Sequence, residues 1–231
     1  MISANDLIQK FRYALSNDWG YIWGTAGELW TAAKQKSSTR PMTVQYGSRW
    51  IGHKVADCSG LFSWAFKELG SYMYHGSDTM FKKYTVNTGT LKNGKRTDGQ
   101  TISPATAVFV WNEKEKKYSH VGLFVGSGRV IEAKGTQYGV VDTPVTDKKW
   151  THWGTLKDVN YGGDVPVPEG YAIVTGKRVA LRKDPSAQSS VIMRIDTGKE
   201  VKLETPPPSE WDYVSYQGKT GYMMKKYLKE G

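Results

Sequence analysis

Between Tyr161 and Tyr171 the chain reads Gly162-Gly163-Asp164-Val165-Pro166-Val167-Pro168-Glu169-Gly170. Neither a helix nor a central strand runs through such a segment. Pro166 and Pro168 remove backbone donors and fix φ, and the three glycines raise the entropy cost of order. The segment therefore divides the 231 residues into a domain over 1–160, a linker over 161–170 and a second domain over 171–231.

The first domain reads as helices followed by strands, an α+β pattern. Ser3 and Asp6 form a capping pair ahead of Leu7, Ile8, Phe11 and Leu15, which share one helical face. A second helix is expected over Ala26 to Gln35. A third begins near Asp57, with Leu61, Phe62, Ala65, Phe66 and Leu69 as its apolar stripe and Gly70 as its stop. Tyr84 to Pro104 is rich in Gly, Asn, Thr and Lys and reads as loop. Strands follow over Ala107–Trp111, His120–Val125 and Val130–Ala133, the last two joined by the turn Gly126-Ser127-Gly128. Beyond the linker, six short strands are expected: Ala172–Thr175, Val179–Arg182, Val191–Ile195, Glu200–Glu204, Trp211–Tyr216 and Gly221–Met224. That texture over about sixty residues is the mark of a small all-β barrel.

Charge separates the two parts. The chain is +10 overall, with 32 Lys and Arg against 22 Asp and Glu. Residues 161–231 hold eleven basic and nine acidic side chains, so most of the excess lies on the first domain. A basic domain gathers at anionic surfaces. Nucleic acid is not expected, because none of the usual binding motifs is present. The longest apolar runs fall far below a membrane span, so no stable membrane insertion is expected. Met1 to Trp19 shows no basic segment followed by an apolar one, so the reading expects synthesis without an ordinary secretory signal.

The one cysteine, Cys58, excludes an intramolecular disulfide and a thiolate-rich metal site. No His-Glu-x-x-His or comparable spacing is present either, so no metal and no cofactor is expected. A lone cysteine is most often a small buried hydrophobe. Cys58, however, lies in Asp57-Cys58-Ser59-Gly60, at the first turn of the third helix. The partial positive charge there favours the thiolate, and the backbone N–H groups can meet an oxyanion.

A nucleophilic cysteine needs a base. His53, His75 and His152 fall in segments that read as irregular, where surface or local packing explains them. His120 opens the alternating strand His-Val-Gly-Leu-Phe-Val-Gly. Glu132, on the next strand, is the candidate that orients it; the plainer account is a solvated carboxylate beside Lys134. Parity decides whether they meet. A three-residue loop over Gly126–Gly128 sets Val125 against Arg129 and Gly122 against Glu132, making His120 and Glu132 diagonal neighbours on one face. A strict two-residue loop puts them on opposite faces.

These residues resemble a known family. Asp57-Cys58-Ser59-Gly60, then His120-Val121-Gly122, then a polar residue twelve positions beyond the histidine, resemble the NlpC-type peptidoglycan cysteine endopeptidases. Tyr21-Ile22-Trp23-Gly24 looks like the family's Tyr-x-Trp-Gly. The resemblance runs from Asn5 to Trp153. It implies a papain-like α+β fold with Cys58 as nucleophile, His120 as general base and Glu132 in the third polar position. It implies Tyr21 beside the nucleophile, and Asp57 and Ser59 where the family contacts the free amino end and the γ-linked D-Glu of the stem peptide. Two positions depart from the pattern: the third residue is usually His, and Thr25 stands where the family has a second Gly. Residues 171–231 resemble a bacterial SH3-like cell-wall-targeting domain, carried by Val179-Ala-Leu-Arg, Thr197-Gly-Lys-Glu-Val-Lys-Leu, Trp211-Asp-Tyr-Val and Gly221-Tyr-Met-Met-Lys-Lys-Tyr-Leu.

What the resemblance implies is a cysteine peptidase that cleaves peptidoglycan stem peptides at the bond between γ-D-Glu and the diamino residue. A phage or prophage endolysin, released through a holin-type membrane lesion, fits the missing signal. The alternatives are a CHAP-type N-acetylmuramoyl-L-alanine amidase, a cytoplasmic muropeptide-recycling peptidase and a non-catalytic wall-binding protein. The sequence is silent on oligomeric state.

Overall fold

A computed structural model of the chain describes all residues except 148–149, 162–169, 206–209 and 231. The chain divides into two compact units, Met1–Gly163 and Asp164–Gly231. The linker expected over 161–170 lies, apart from its two ends, outside the described residues. No described helix is long and apolar enough to cross a membrane.

The first unit opens with β1 (Ile2–Ser3) and α1 (Ala4–Ser16), capped by the Ser3 hydroxyl, which accepts from Asp6 N. Strand β2 (Ala26–Leu29), helices α2 (Ala32–Ser37) and α3 (Pro41–Tyr46) and strand β3 (Lys54–Ala56) follow, with β2 paired to β3. The helix expected over Ala26 to Gln35 is thus a strand and then a helix. Thr31 accepts from Lys34 N, and a threonine offering its oxygen to the backbone starts a helix rather than continuing one. Next come α4 (Cys58–Glu68) and α5 (Ser77–Tyr84).

A seven-stranded sheet completes the unit. Its strands are β4 (Thr85–Lys92), β5 (Lys95–Arg96), β6 (Ala107–Asn112), β7 (Lys117–Gly126), β8 (Arg129–Gly135), β9 (Gly139–Pro144) and β10 (His152–Leu156), in the order β5-β4-β10-β6-β7-β8-β9. A short strand, β11 (Val159–Asn160), returns to pair with β1. Of the segment expected as loop from Tyr84 to Pro104, residues 97–104 are loop and 85–96 form the hairpin β4–β5. Its turn is Asn93-Gly94, both with positive φ, which is what a two-residue hairpin turn requires.

The β7–β8 hairpin departs from expectation in an instructive way. Its loop is two residues, Ser127 and Gly128, with φ of 48° and 75°. Gly126, not Val125, faces Arg129. A bulge then inserts one extra residue on β7, so Leu123 faces Ile131. Below the bulge the register is that of the three-residue loop, and His120 and Glu132 share a face. A second bulge lies just before the histidine: Trp111 pairs with Tyr118 but Val110 with His120, leaving Ser119 extra.

Helix α4 packs on β7, β8 and α1. Leu61, Phe62, Ala65 and Phe66 are all fully buried, as their spacing requires, and Phe11 of α1 meets Phe62 edge-on at 4.7 Å between ring centroids. A hydrophobic foundation thus holds the helix whose first residue is Cys58.

The second unit contains β12 (Tyr171–Val174), β13 (Val179–Arg182), β14 (Val191–Ile195), β15 (Glu200–Thr205), β16 (Trp211–Tyr216), β17 (Lys219–Met224) and β18 (Leu228–Glu230). Their order is β14-β13-β17-β16-β15-β12-β18, all antiparallel. Ala172, Val174, Leu181, Ile195, Val201, Val214 and Met223 form its core.

If α4 is anchored as described, Phe62→Ala costs about 3–5 kcal/mol, the usual range for removing a fully buried phenylalanine. Chemical denaturation of the first unit's transition measures it. A loss below about 1 kcal/mol, the low end of smaller core truncations, contradicts this anchoring.

Candidate active site

Cys58 is the first residue of α4, only 8% exposed, and lines an open groove of about 730 Å³. Tyr21, Trp23 and Gly24 contribute one part of the groove wall, Tyr74 to Thr79 another, and Tyr118 and Ser119 of β7 a third. Tyr118 and Ser119 immediately precede His120, so the strand that carries the histidine borders the same groove as the cysteine.

His120 and Glu132 are in direct contact. Nε2 of His120 lies 2.6 Å from Oε2 of Glu132, and the second carboxylate oxygen accepts from the Thr143 hydroxyl at 3.1 Å. The Glu132 side chain is fully buried and that of His120 13% exposed. The solvated-carboxylate account of Glu132 therefore fails, and Lys134 lies near Asp147 instead. Trp150 stacks on the imidazole, with ring centroids 5.6 Å apart and planes 27° apart. Gly122 makes room for this arrangement. A Cβ there meets Val130 Cγ1 at 2.6 Å and the Trp150 ring at 2.9 Å. The glycine two residues beyond the histidine is thus a packing requirement, and it lets the indole and the carboxylate close on the ring.

Asp57 serves a structural purpose that the sequence reading did not assign it. Its Oδ1 accepts from the N–H groups of Ser59 and Gly60 and from the Ser59 hydroxyl, at 2.8–3.1 Å. Its Oδ2 accepts from Gly24 N and lies 2.8 Å from Nε2 of His75. Five donors on one carboxylate exceed its roughly four lone-pair sites. Asp57 and Ser59 line the groove, and the Ser59 hydroxyl donates to Asp57. Gly60 is constrained as well: a Cβ there falls 1.9 Å from the Thr25 carbonyl oxygen.

His75, set aside in the sequence as local packing, is the residue that reading missed. No spacing signal links it to Asp57, 18 positions away in an irregular segment. Burial works to raise the Asp57 pKa, yet the hydrogen bonds from His75, Gly60 and Gly24 together hold it below the ordinary carboxylate value. The hydrogen bond to Asp57 raises His75 above the ordinary imidazole value, against partial desolvation. The two are hydrogen-bonded beside Cys58, and the bond favours the charged form of each.

Tyr21 lines the groove with Cys58, where the resemblance expects it. Burial, then the charges of Cys58 and Asp57, push its phenol well above the ordinary tyrosine value, while Arg40 opposes them. The hydroxyl therefore stays protonated and able to donate. Of the remaining histidines, His53 lies by the backbone carbonyl of Asp18, and His152 packs against Phe81 and Tyr118, where burial lowers its pKa.

The pair makes stability pH-dependent, with a sign that can be worked out. Asp57, lowered on folding, adds stability that is complete above its ordinary 3.8 and is lost as pH falls through the folded value. His75, raised on folding, adds stability that is complete below its ordinary 6.5 and is lost as pH rises through the folded value. The contribution is therefore full between these two values. His75→Gln is expected to flatten the fall of the melting temperature as pH rises above the ordinary imidazole value of 6.5. Parallel melting curves for variant and wild type show that the pair adds nothing on the alkaline side.

Known proteins were then compared with the chain. The NlpC/P60 family profile matches residues 38–157, just over half of the sequence. No curated protein matches. Among solved structures, NlpC2 from Trichomonas vaginalis is 20% identical, with a TM-score of 0.44 over 66% of this chain and 47% of that one. The peptidoglycan hydrolase RipB from Mycobacterium tuberculosis is 18% identical, with a TM-score of 0.37 over 65% of each chain. RipD from the same organism, described as a non-catalytic NlpC/p60 domain protein adapted to peptidoglycan binding, is 15% identical, with a TM-score of 0.38 over 64% of this chain and 95% of that one. This chain spans about half the length of the Trichomonas protein. By the match over residues 38–157, the chain belongs to the NlpC/P60 family.

Proposed function

We propose that the chain is a peptidoglycan hydrolase working as a cysteine peptidase on stem peptides. The observation that carries this reading is the 2.6 Å contact between His120 and a fully buried Glu132. A buried carboxylate on an imidazole fixes its tautomer and favours its charged form.

In this reading Nε2 of His120 is committed to Glu132, and Nδ1 serves the Cys58 thiol. The thiolate attacks the scissile carbonyl carbon and forms a tetrahedral oxyanion. The Cys58 backbone N–H, at the positive end of α4, and the Tyr21 hydroxyl stabilise it. The imidazolium gives its proton to the leaving amine, and the C–N bond breaks to leave a thioester. His120 then takes a proton from water, whose oxygen attacks the thioester and releases the acid and the free thiol. The bond proposed, from the family resemblance, joins γ-D-Glu to the diamino residue. Tyr21, Asp57 and Ser59, which line the groove with Cys58, are proposed to contact the stem peptide. The second unit, with its short antiparallel strands, is proposed as an SH3-like wall-binding domain, and the setting as lytic, in the manner of an endolysin.

Two experiments test this. Mass spectrometry of digested wall is expected to show muropeptides with a newly exposed amino-terminal diamino residue; stem-free glycan identifies an amidase instead. Cys58→Ala is expected to lower turnover by on the order of 10⁴-fold or more, as removal of a triad nucleophile does. Glu132→Gln is expected to slow it as well, by less than the loss of Cys58 does. Lysis by Cys58→Ala at the wild-type rate removes the nucleophile assignment, and an unchanged rate in Glu132→Ala removes Glu132 from the triad.

A further inference from the structure

The second unit carries a net charge of only +2, yet four of its cations surround one cavity. Lys177, Arg178, Arg182 and Arg194 line a space of about 260 Å³ with no carboxylate among the described residues of its wall. Ala180 contributes to it, and Tyr227 closes another side. Strand register explains the grouping. Ala180 of β13 faces Arg194 of β14, and Arg182 lies two residues further along β13. Val179 and Leu181 point into the core, so Ala180, Arg182 and Arg194 share the opposite face, with the two arginines as diagonal neighbours across a methyl group. The turn leading into β13 brings Lys177 and Arg178 to the same place.

Elsewhere in this unit two lysines have carboxylate partners: Lys202 pairs with Glu204 and Lys225 with Asp212. None of the four cavity cations forms an ion pair among the described residues. Arg182 donates to the Ser189 carbonyl and Arg194 to that of Arg178, each through Nη1. Five N–H donors per guanidinium leave most of their capacity unspent. Arg178 has a φ of 52°, an uncommon conformation for a residue with a side chain, and it turns its carbonyl to Arg194. Four positive groups held together by backbone contacts repel one another, and a bound anion relieves that repulsion.

We propose that this cavity is a binding site for a phosphate group, carried by a phosphodiester polymer or a lipid headgroup. Phosphate is favoured over carboxylate by geometry. Guanidinium forks pair with two oxygens each, and three arginines line this cavity. A tetrahedral phosphate presents oxygens to several walls at once, whereas a carboxylate presents two in one plane. The volume lies below the ~300–1,000 Å³ usual for drug-sized ligands and suits a compact anionic group. The site lies wholly in the second unit and does not depend on the peptidase reading.

The test uses the full chain, with binding followed by titration calorimetry at low salt. The probes are a poly(glycerol phosphate) chain, poly-glutamate, and vesicles of neutral lipid with and without anionic phospholipid. The phosphate polymer or the anionic vesicles are expected to bind, and the pair of arms shows which source supplies the group. Arg182→Gln with Arg194→Gln is expected to weaken that binding by roughly tenfold or more, as loss of charge-assisted contacts does. Lys202→Gln, outside the cavity, is expected to leave it unchanged. Arg182 also ties down the Ser189 segment, so a second variant, Lys177→Gln with Arg178→Gly, carries the same expectation on an exposed turn whose φ suits glycine. Hydrolysis of a soluble stem peptide is expected to be unaffected by either variant. The proposal is overturned if neither phosphate probe binds, if poly-glutamate binds as tightly, or if both variants bind like wild type.

Discussion

The carboxylate of Asp57 ties three separate stretches of chain together. It caps α4 through Ser59 and Gly60, holds the Tyr-x-Trp-Gly loop through Gly24, and secures the segment before α5 through His75. A buried anion is costly unless its lone pairs are met, and here every donor that meets them also positions a groove wall. The placement of Cys58 follows, because the residue after an N-cap has no freedom of its own: cap and helix axis determine where its side chain begins. His75 contributes a second effect. Without it, a bare carboxylate next to the thiol would oppose formation of the thiolate.

What the sequence disclosed, and what it withheld, follows from the range of the interactions concerned. Helix α4, with Cys58 as its first residue, was readable because cap, stripe and stop all lie within fourteen consecutive residues, Asp57 to Gly70. The strand pair carrying His120 and Glu132 was readable from alternation and glycines. The β4–β5 hairpin was missed because Thr, Asn and Lys dominate it and its buried contacts are few; Leu91 is its one well-buried apolar side chain. The Asn93-Gly94 turn was the available signal. His75 could not be read at all, since its partner is set by the way two loops fold together. Nor could the burial of Glu132, since a charged residue on a strand defaults to solvent unless a tertiary partner such as Thr143 is known.

Net charge proved a poor guide to either concave surface. The first unit carries most of the positive excess, yet its groove is lined by Asp57, Asp78 and Glu115 against Lys117 and His75. The nearly neutral second unit concentrates four cations around one small cavity. Composition sums over a surface that is mostly solvated, whereas a site depends on a few side chains converging from different strands.

The bulge at Val125 has a consequence for how this family member can change. The tip of the hairpin and the face that carries His120 and Glu132 differ by one step in register, and that single step decides whether His120 meets a carboxylate or the back of a sheet. The hairpin therefore counts in twos. Lengthening or shortening one arm by two residues preserves the face that Glu132 presents, whereas a single inserted or deleted residue between His120 and Glu132 reverses it unless a compensating bulge appears. Among related chains, the spacing between the histidine and its partner should drift by even numbers, and an odd change should be accompanied by an altered loop.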